Sequence, residues 1–299
     1  MKKIFALAAV IIASGIGLFA QSTNIAIPVK YEELTVPLFI RALDQSARTC
    51  LIPMGILEKH GNHLPIGTDL INIRSTAVKA AQMEYAVVFP EYYFGQINEA
   101  RHQPGTIAYS SELIWKMLEE TLDELSRNGF TKIILVNGHG GNIWLEYFCM
   151  SLLHERKNYA VYVYGLPDES IYPETVKKLT KSTNPGGHGA EFETSSMMAN
   201  RPELVRKDAI VEESGADLQR LKGLDAYTGI WWYAQYPNHY NTGATPATAE
   251  LGKAIVDAEA ADLARVIKQV KNDNATLQLQ EEFYNQSVNP LLTPQNIGN

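Results

Sequence analysis

The chain has 299 residues, 45% of them hydrophobic and 20% charged, a balance ordinary for a globular protein with a sizeable buried core. Without Lys2 and Lys3, which sit in an N-terminal leader, 24 basic side chains face 33 acidic ones, a balance of −9. Nucleic acid and anionic membrane are thereby excluded as general partners of the surface. No Pro/Gly/Ser-rich linker, interior charge run or fixed-period repeat divides the sequence, so one large domain is expected.

In chain order, Lys2 and Lys3 precede an apolar run from Ile4 to Phe19 that ends in Ala20, Gln21 and Ser22. This layout predicts a secretory signal over 1–20 and a secreted or periplasmic protein. The alternative is a retained anchor, for which a run of roughly sixteen residues is slightly short of the ~20 that span a bilayer. A domain over 21–275 and a polar tail over 276–299 follow. Apolar runs of strand length over 50–56, 86–89, 132–136 and 160–164 alternate with helical patterns over 71–84, 112–128, 142–156 and 247–271, which is how a layered α/β fold reads. Ser110 or Ser111 can cap the second helix and Gly129 can end it. The Gln- and Asn-rich tail from Asn272, with Pro290 and Pro294, is expected to be partly ordered at best. Cys50 and Cys149 lie in apolar stretches; a disulfide and two buried thiols both remain open.

Chemistry gathers where predicted strands end, the place at which open α/β sheets bind ligands. The strand ending at Ile56 runs into a segment holding Glu58, His60, His63 and Asp69, a dense set of metal donors that Gly61, Pro65 and Gly67 can bend to a common point. On an extended backbone Glu58 and His60 share a face. The strand ending at Val136 leads to Asn137-Gly138-His139-Gly140-Gly141-Asn142. A phosphate-cradling glycine loop would need another Gly where Ile143 stands, so a histidine reaching an ion is the better reading. The third segment, Gly186 to Ser195, offers His188, Glu191 and Glu193. If a helix starts near Ala190, His188 and Glu191 point to one side, whereas Glu193 needs an irregular first turn or acts from behind; either carboxylate can instead complement the helix dipole. Trp231, Trp232, Tyr233, Tyr236 and Tyr240 are candidates to wall a pocket for a flat ring, or equally to be core or subunit contacts.

Together these stretches (54–69, 137–142, 187–195 and, more weakly, 242–250) resemble the creatininase (creatinine amidohydrolase) family. The resemblance implies a three-layer α/β/α sandwich with a mostly parallel central sheet, two divalent ions at the strand ends, Zn²⁺ first with Mn²⁺ or Fe²⁺ as alternatives, and a homohexamer. It further implies that Glu58, Asp69 and His139 bind one ion and that His60 with the shared Asp69 holds the other. The family's creatininase has a further carboxylate two residues after the histidine matching His139; here that residue is Gly141, and Glu191 is expected to restore the ligand. His188 and Glu193 match the catalytic histidine and its supporting acid. Ala100 and Gln103 stand where many relatives have His and Phe, so substrate contacts there are expected to differ.

The expected chemistry is attack of activated water on the carbonyl of a small, cyclic amide, with His188 passing a proton to the leaving nitrogen and Glu193 fixing its tautomer. Rival readings are metal or solute capture without catalysis, which would not need an acid–base pair beside the ions, and hydrolysis of a formamide, a small peptide or a lactone.

Overall fold

A computed structural model describes residues 26–295; the secretory signal expected over 1–20 lies outside the described residues. The described chain is built on four parallel strands, β1 (Thr49–Met54), β2 (Val87–Val88), β3 (Lys132–Asn137) and β4 (Ala160–Tyr164), in the order β2-β1-β3-β4. Nine helices accompany them among the described residues: α1 (Val36–Gln45), α2 (Thr68–Met83), α3 (Ser111–Arg127), α4 (Leu145–Ser151), α5 (Glu174–Leu179), α6 (Glu191–Asn200), α7 (Trp231–Gln235), α8 (Ala249–Asn272) and α9 (Ala275–Val288).

Side-chain alternation along the strands builds two cores. Cys50, Ile52, Met54, Ile133 and Leu135 pack towards α1, α3 and α4 around the fully buried Phe130 and Phe148. Leu51, Ile134 and Val136 face the other way, onto Ile73, Ala77 and Ala81 of α2 and Leu263, Ile267 and Val270 of α8. The result is the expected three-layer α/β/α sandwich. Helices on both faces explain why the strands read as unbroken apolar runs.

From β1 the chain goes first to β2 on one side and then to β3 on the other. The order reverses between β1 and β3, and their last paired residues are Met54 and Asn137. A crevice opens beyond the carboxyl ends at such a switch point.

Several boundaries differ from the sequence reading. β2 is only two residues long because Pro90, which has no N–H, follows Phe89. The helix expected from residue 142 begins at Leu145, since the Asn142 side chain is held in the loop: it donates to Asn137 Oδ1 at 3.1 Å and accepts from Trp144 Nε1 at 3.2 Å. α3 starts as expected, with Ser110 Oγ accepting from Leu113 N. The tail is a correction: residues 275–288 form α9, begun by Asp273, whose Oδ1 accepts from the N–H groups of Ala275 and Thr276 at 2.8 and 3.2 Å. The buried Tyr284 anchors that helix, with the Arg156 guanidinium 5.3 Å over its ring. Both cysteines are free, and no described helix is long and apolar enough to cross a membrane.

Candidate metal centre

Three loops meet beyond β1 and β3. Gly55 lets α2 seat against the end of β1: a Cβ there would lie 2.6 Å from Leu70 N and 2.7 Å from the Asp69 carbonyl carbon. That contact brings Asp69, in the first turn of α2, over the strand ends. The intervening loop is pinned by Glu58 N donating to Ile66 O at 3.1 Å and turned at Gly61, whose φ of 72° suits glycine. After β3, the Asn137 side chain accepts from His139 N at 3.1 Å and holds the histidine towards the crevice. The third loop turns at Gly189 (φ 69°), which sits 3.1 Å from the His60 backbone measured from an added Cβ.

The polar atoms so collected are close, and Glu58, His60, Asp69 and His139 are buried while the Glu193 side chain is 34% exposed. His60 Nε2 lies 2.9 Å from Asp69 Oδ1, 3.7 Å from Glu193 Oε2 and 3.8 Å from Glu58 Oε1. His139 Nδ1 lies 2.9 Å from Glu58 Oε1 and 3.1 Å from Asp69 Oδ2, while its Nε2–H donates to Gln96 O at 2.9 Å. That donation leaves, in a neutral ring, a lone pair on Nδ1 aimed at two carboxylate oxygens. Those same oxygens, Glu58 Oε1 and Asp69 Oδ2, are buried and accept no hydrogen bond. Three electron-rich atoms converging on one point require a cation there, either a proton on His139 or a metal ion. The donor set of carboxylates and imidazoles fits a divalent transition metal. Glu58, His60 and Asp69 can face one ion together, and so can His60, His188 and Glu193.

The expected residues divide unequally. Glu58, His60, Asp69, His139, His188 and Glu193 come together. Glu191 does not: its fully buried carboxylate accepts from Lys181 N at 2.9 and 3.1 Å and from Ser182 N at 2.8 Å. The reason is that His188 precedes α6 and Gly189 reverses the chain, so the helical i, i+3 relation never applies to His188 and Glu191. Glu193, placed behind by the sequence reading, is the carboxylate that α6 sends to the cluster. Nor does it orient His188, whose Nε2–H donates to Lys59 O at 2.7 Å; Glu193 Oε2 accepts from Gly189 N at 2.6 Å. Gly141 has no room for a side chain, because an added Cβ would fall 2.4 Å from His139 Nε2.

One residue was missed. His239, buried, donates from Nε2 to Glu58 Oε2, and its Nδ1 accepts from Trp232 Nε1 at 2.8 Å. Its only signal was a histidine inside the aromatic run, shortly before the stretch 242–250. His63, the second histidine of the donor-rich loop, stays apart and bonds Thr194 Oγ1 at 2.9 Å.

Burial opposes charge at Glu58, His60, His139, His188 and Glu193, and the neighbours outweigh it at the first three. Burial alone would raise the Glu58 carboxyl, but His188, His139 and His239 outweigh it and hold the group well below its usual range. Burial would lower His60, yet Asp69, Glu193 and Glu58 push it up to about 10. His139 is likewise carried well above its usual value, against its burial, by Glu58 and Asp69. His188 goes the other way: burial dominates and lowers it to about 3, so the ring is neutral. Burial raises Glu193 to about 7.

Comparison with known proteins agrees with this picture. The family model for creatinine amidohydrolase matches residues 32–267. The chain is 27% identical over 184 residues to the creatinine amidohydrolase of Pseudomonas putida, covering 56% of this chain and 69% of that one. It is 28% identical over 188 residues to the mycofactocin precursor peptide peptidase of Mycolicibacterium smegmatis, covering 60% and 69%. It is also 24% identical over 247 residues to the 3-dehydro-scyllo-inosose hydrolase of Thermotoga maritima, covering 74% and 76%. A crystal structure of creatininase superposes with a TM-score of 0.68 at 22% identity, covering 83% of this chain and all of that one. A putative creatinine amidohydrolase from Bacteroides fragilis gives the same score and identity, over 84% and 99%. With the family model spanning most of its length and the fold shared, this chain belongs to the creatininase family of hydrolases.

Proposed function

We propose that this protein is an exported, dinuclear metal-dependent amidohydrolase that cleaves a C–N bond of a small, cyclic amide. The observation that carries the reading is the pair of buried carboxylate oxygens, Glu58 Oε1 and Asp69 Oδ2, which accept no hydrogen bond and face the His139 Nδ1 lone pair. Glu58, Asp69 and His139 would hold one ion; His60, Glu193 and the other oxygen of Asp69 would hold the second. Bound there, divalent ions lower the pKa of water from 15.7 towards 7 and polarise a carbonyl oxygen. A creatininase of Mn type and one of Zn-Zn type are among the solved relatives, which supports Zn²⁺ or Mn²⁺ here.

The protein's own groups manage protons. His188 donates Nε2–H to the Lys59 carbonyl, so a neutral ring has Nδ1 free to accept a proton. Burial keeps that ring neutral and a weak base, so it orients the attacking water and holds a proton only in passing. Glu193, whose Oε2 accepts from Gly189 N at 2.6 Å, is held towards the second ion position and would act there as a carboxylate. The proton that the water loses passes by way of His188 to the leaving nitrogen, which is too basic to depart as an anion. Glu191, by fixing the 181–182 backbone, holds the start of α6 in place and through it Glu193.

Export rests on the leader pattern, and a homohexamer on the family resemblance. Exposed Ile143, Tyr147 and Met150 around α4, at 83%, 65% and 59%, support self-association. To test the function, the purified mature chain is loaded with Zn²⁺ or Mn²⁺ and assayed on lactams, formamides, lactones and short peptide amides. Turnover of an amide supports the proposal. Two bound ions without turnover of any of them favours metal capture instead.

A further inference from the structure

The aromatic run 231–240 contains an indole, an imidazole and a carboxylate contact in series. Indole Nε1–H is only a donor, and Trp232 Nε1 points it at His239 Nδ1 over 2.8 Å. Nδ1 must therefore be the bare nitrogen, which puts the ring's proton on Nε2. Nε2 in turn contacts Glu58 Oε2, a carboxylate oxygen that can only accept. His239 and Glu58 are 2% and 1% exposed, so water does not compete for either bond. The other oxygen, Oε1, is the one left without a donor beside His139.

We propose that Trp232 and His239 form a relay that fixes the rotation of Glu58, binding Oε2 so that Oε1 is presented to the cation. His239 is thus a positioning residue and not a ligand, since both its nitrogens are committed. The relay also gives the segment holding α7 a role at the centre, since it reaches Glu58 through His239. This inference rests on the metal reading above, and donors behind a first ligand typically contribute 10–100-fold to metal affinity.

The experiment is a Zn²⁺ titration of the full chain against a chromophoric chelator, with melting of the metal-free protein measured in parallel. His239→Leu removes the donor to Glu58. His239→Gln keeps an N–H near Nε2, and Trp232→Phe keeps the ring but removes the indole donor. The relay predicts that His239→Leu weakens Zn²⁺ binding about 10–100-fold, that His239→Gln recovers most of the loss, and that Trp232→Phe falls between. Affinity of His239→Leu within about twofold of the parent would overturn the relay. So would a Gln variant as weak as the Leu variant with Trp232→Phe unchanged, the pattern of a direct ligand. If the parent chain binds no Zn²⁺, the metal reading fails; the relay then stands on a metal-free melting temperature lowered by Leu and restored by Gln, and falls if Leu has no effect.

Discussion

Asp69 offers one oxygen to each of two histidines, Oδ1 to His60 and Oδ2 to His139. Replacing it with Asn removes the charge while keeping the shape, and should empty at least one ion position in elemental analysis of the purified protein. Full metal content in Asp69→Asn would show that it bridges nothing. His188 makes the opposite case. His188→Ala should keep the metal and lower turnover by about 10²–10⁴-fold, the usual worth of a positioned acid–base group; turnover equal to the parent would remove His188 from the chemistry. A third residue tests the electrostatics beside the cluster. Glu259 of α8 lines a 120 Å³ cavity shared with Asp69 and Glu193, accepts from Tyr172 Oη at 3.0 Å, and is raised to about 7 by burial. In the unfolded chain it ionises near 4.5. Between those values the folded state binds the extra proton, so stability is lost as pH rises from about 4.5 to 7, by roughly 3 kcal/mol at most. Glu259→Gln should therefore raise the melting temperature at pH 8 by several degrees and leave it unchanged at pH 4. Equal shifts at both pH values would mean that the residue does not titrate this way.

At the scale of elements, two close approaches set where the donors stand. Gly55 admits the start of α2 over β1, and Gly252 of α8 touches α6 so closely that an added Cβ would lie 1.8 Å from Ser195 O. α6 carries Glu191 and Glu193, and Thr248 N, at the cap of α8, donates to Ser195 Oγ at 3.1 Å. Gly252→Ala must push the helices apart, at a cost of about 3 kcal/mol, and should weaken metal binding along with melting temperature. Unaltered metal affinity in a destabilised Gly252→Ala would separate the helix crossing from the site. The same scale shows what was legible in the sequence. Strands and the donor-rich loops were readable, because β1 and β3 are buried on both faces and the loops break an apolar pattern with His, Asp and Gly. Which of Glu191 and Glu193 reaches the cluster was not, because it depends on the reversal at Gly189, a backbone feature that spacing along a helix does not encode. His239 was illegible for a related reason: its value comes from Trp232 and Glu58, the latter 181 positions away in the chain. The C-terminal helix α9 was missed because its polar composition hid one anchoring side chain, Tyr284, and the Asp273 that starts it.

For the molecule as a whole, the site follows from topology. The strand order changes direction between β1 and β3, so the loops after both strands and the ends of α2 and α6 converge on one crevice. Around that crevice the two cores are apolar, and the strongest unbalanced electrostatic demand among the described residues is the pair of carboxylate oxygens facing His139. A cation there, a proton on His139 or a metal ion, is what those three groups require together. Metal and protons compete for the same atoms, so loading is expected to release protons and to weaken as pH falls. The most direct measurement is anomalous diffraction at the zinc edge from crystals of the Zn²⁺-loaded protein. Two peaks are expected, shared by Asp69 and bounded by Glu58, His60, His139 and Glu193, with Glu191 still on the 181–182 backbone. Absence of density among these side chains, or peaks held by other residues, would contradict that expectation.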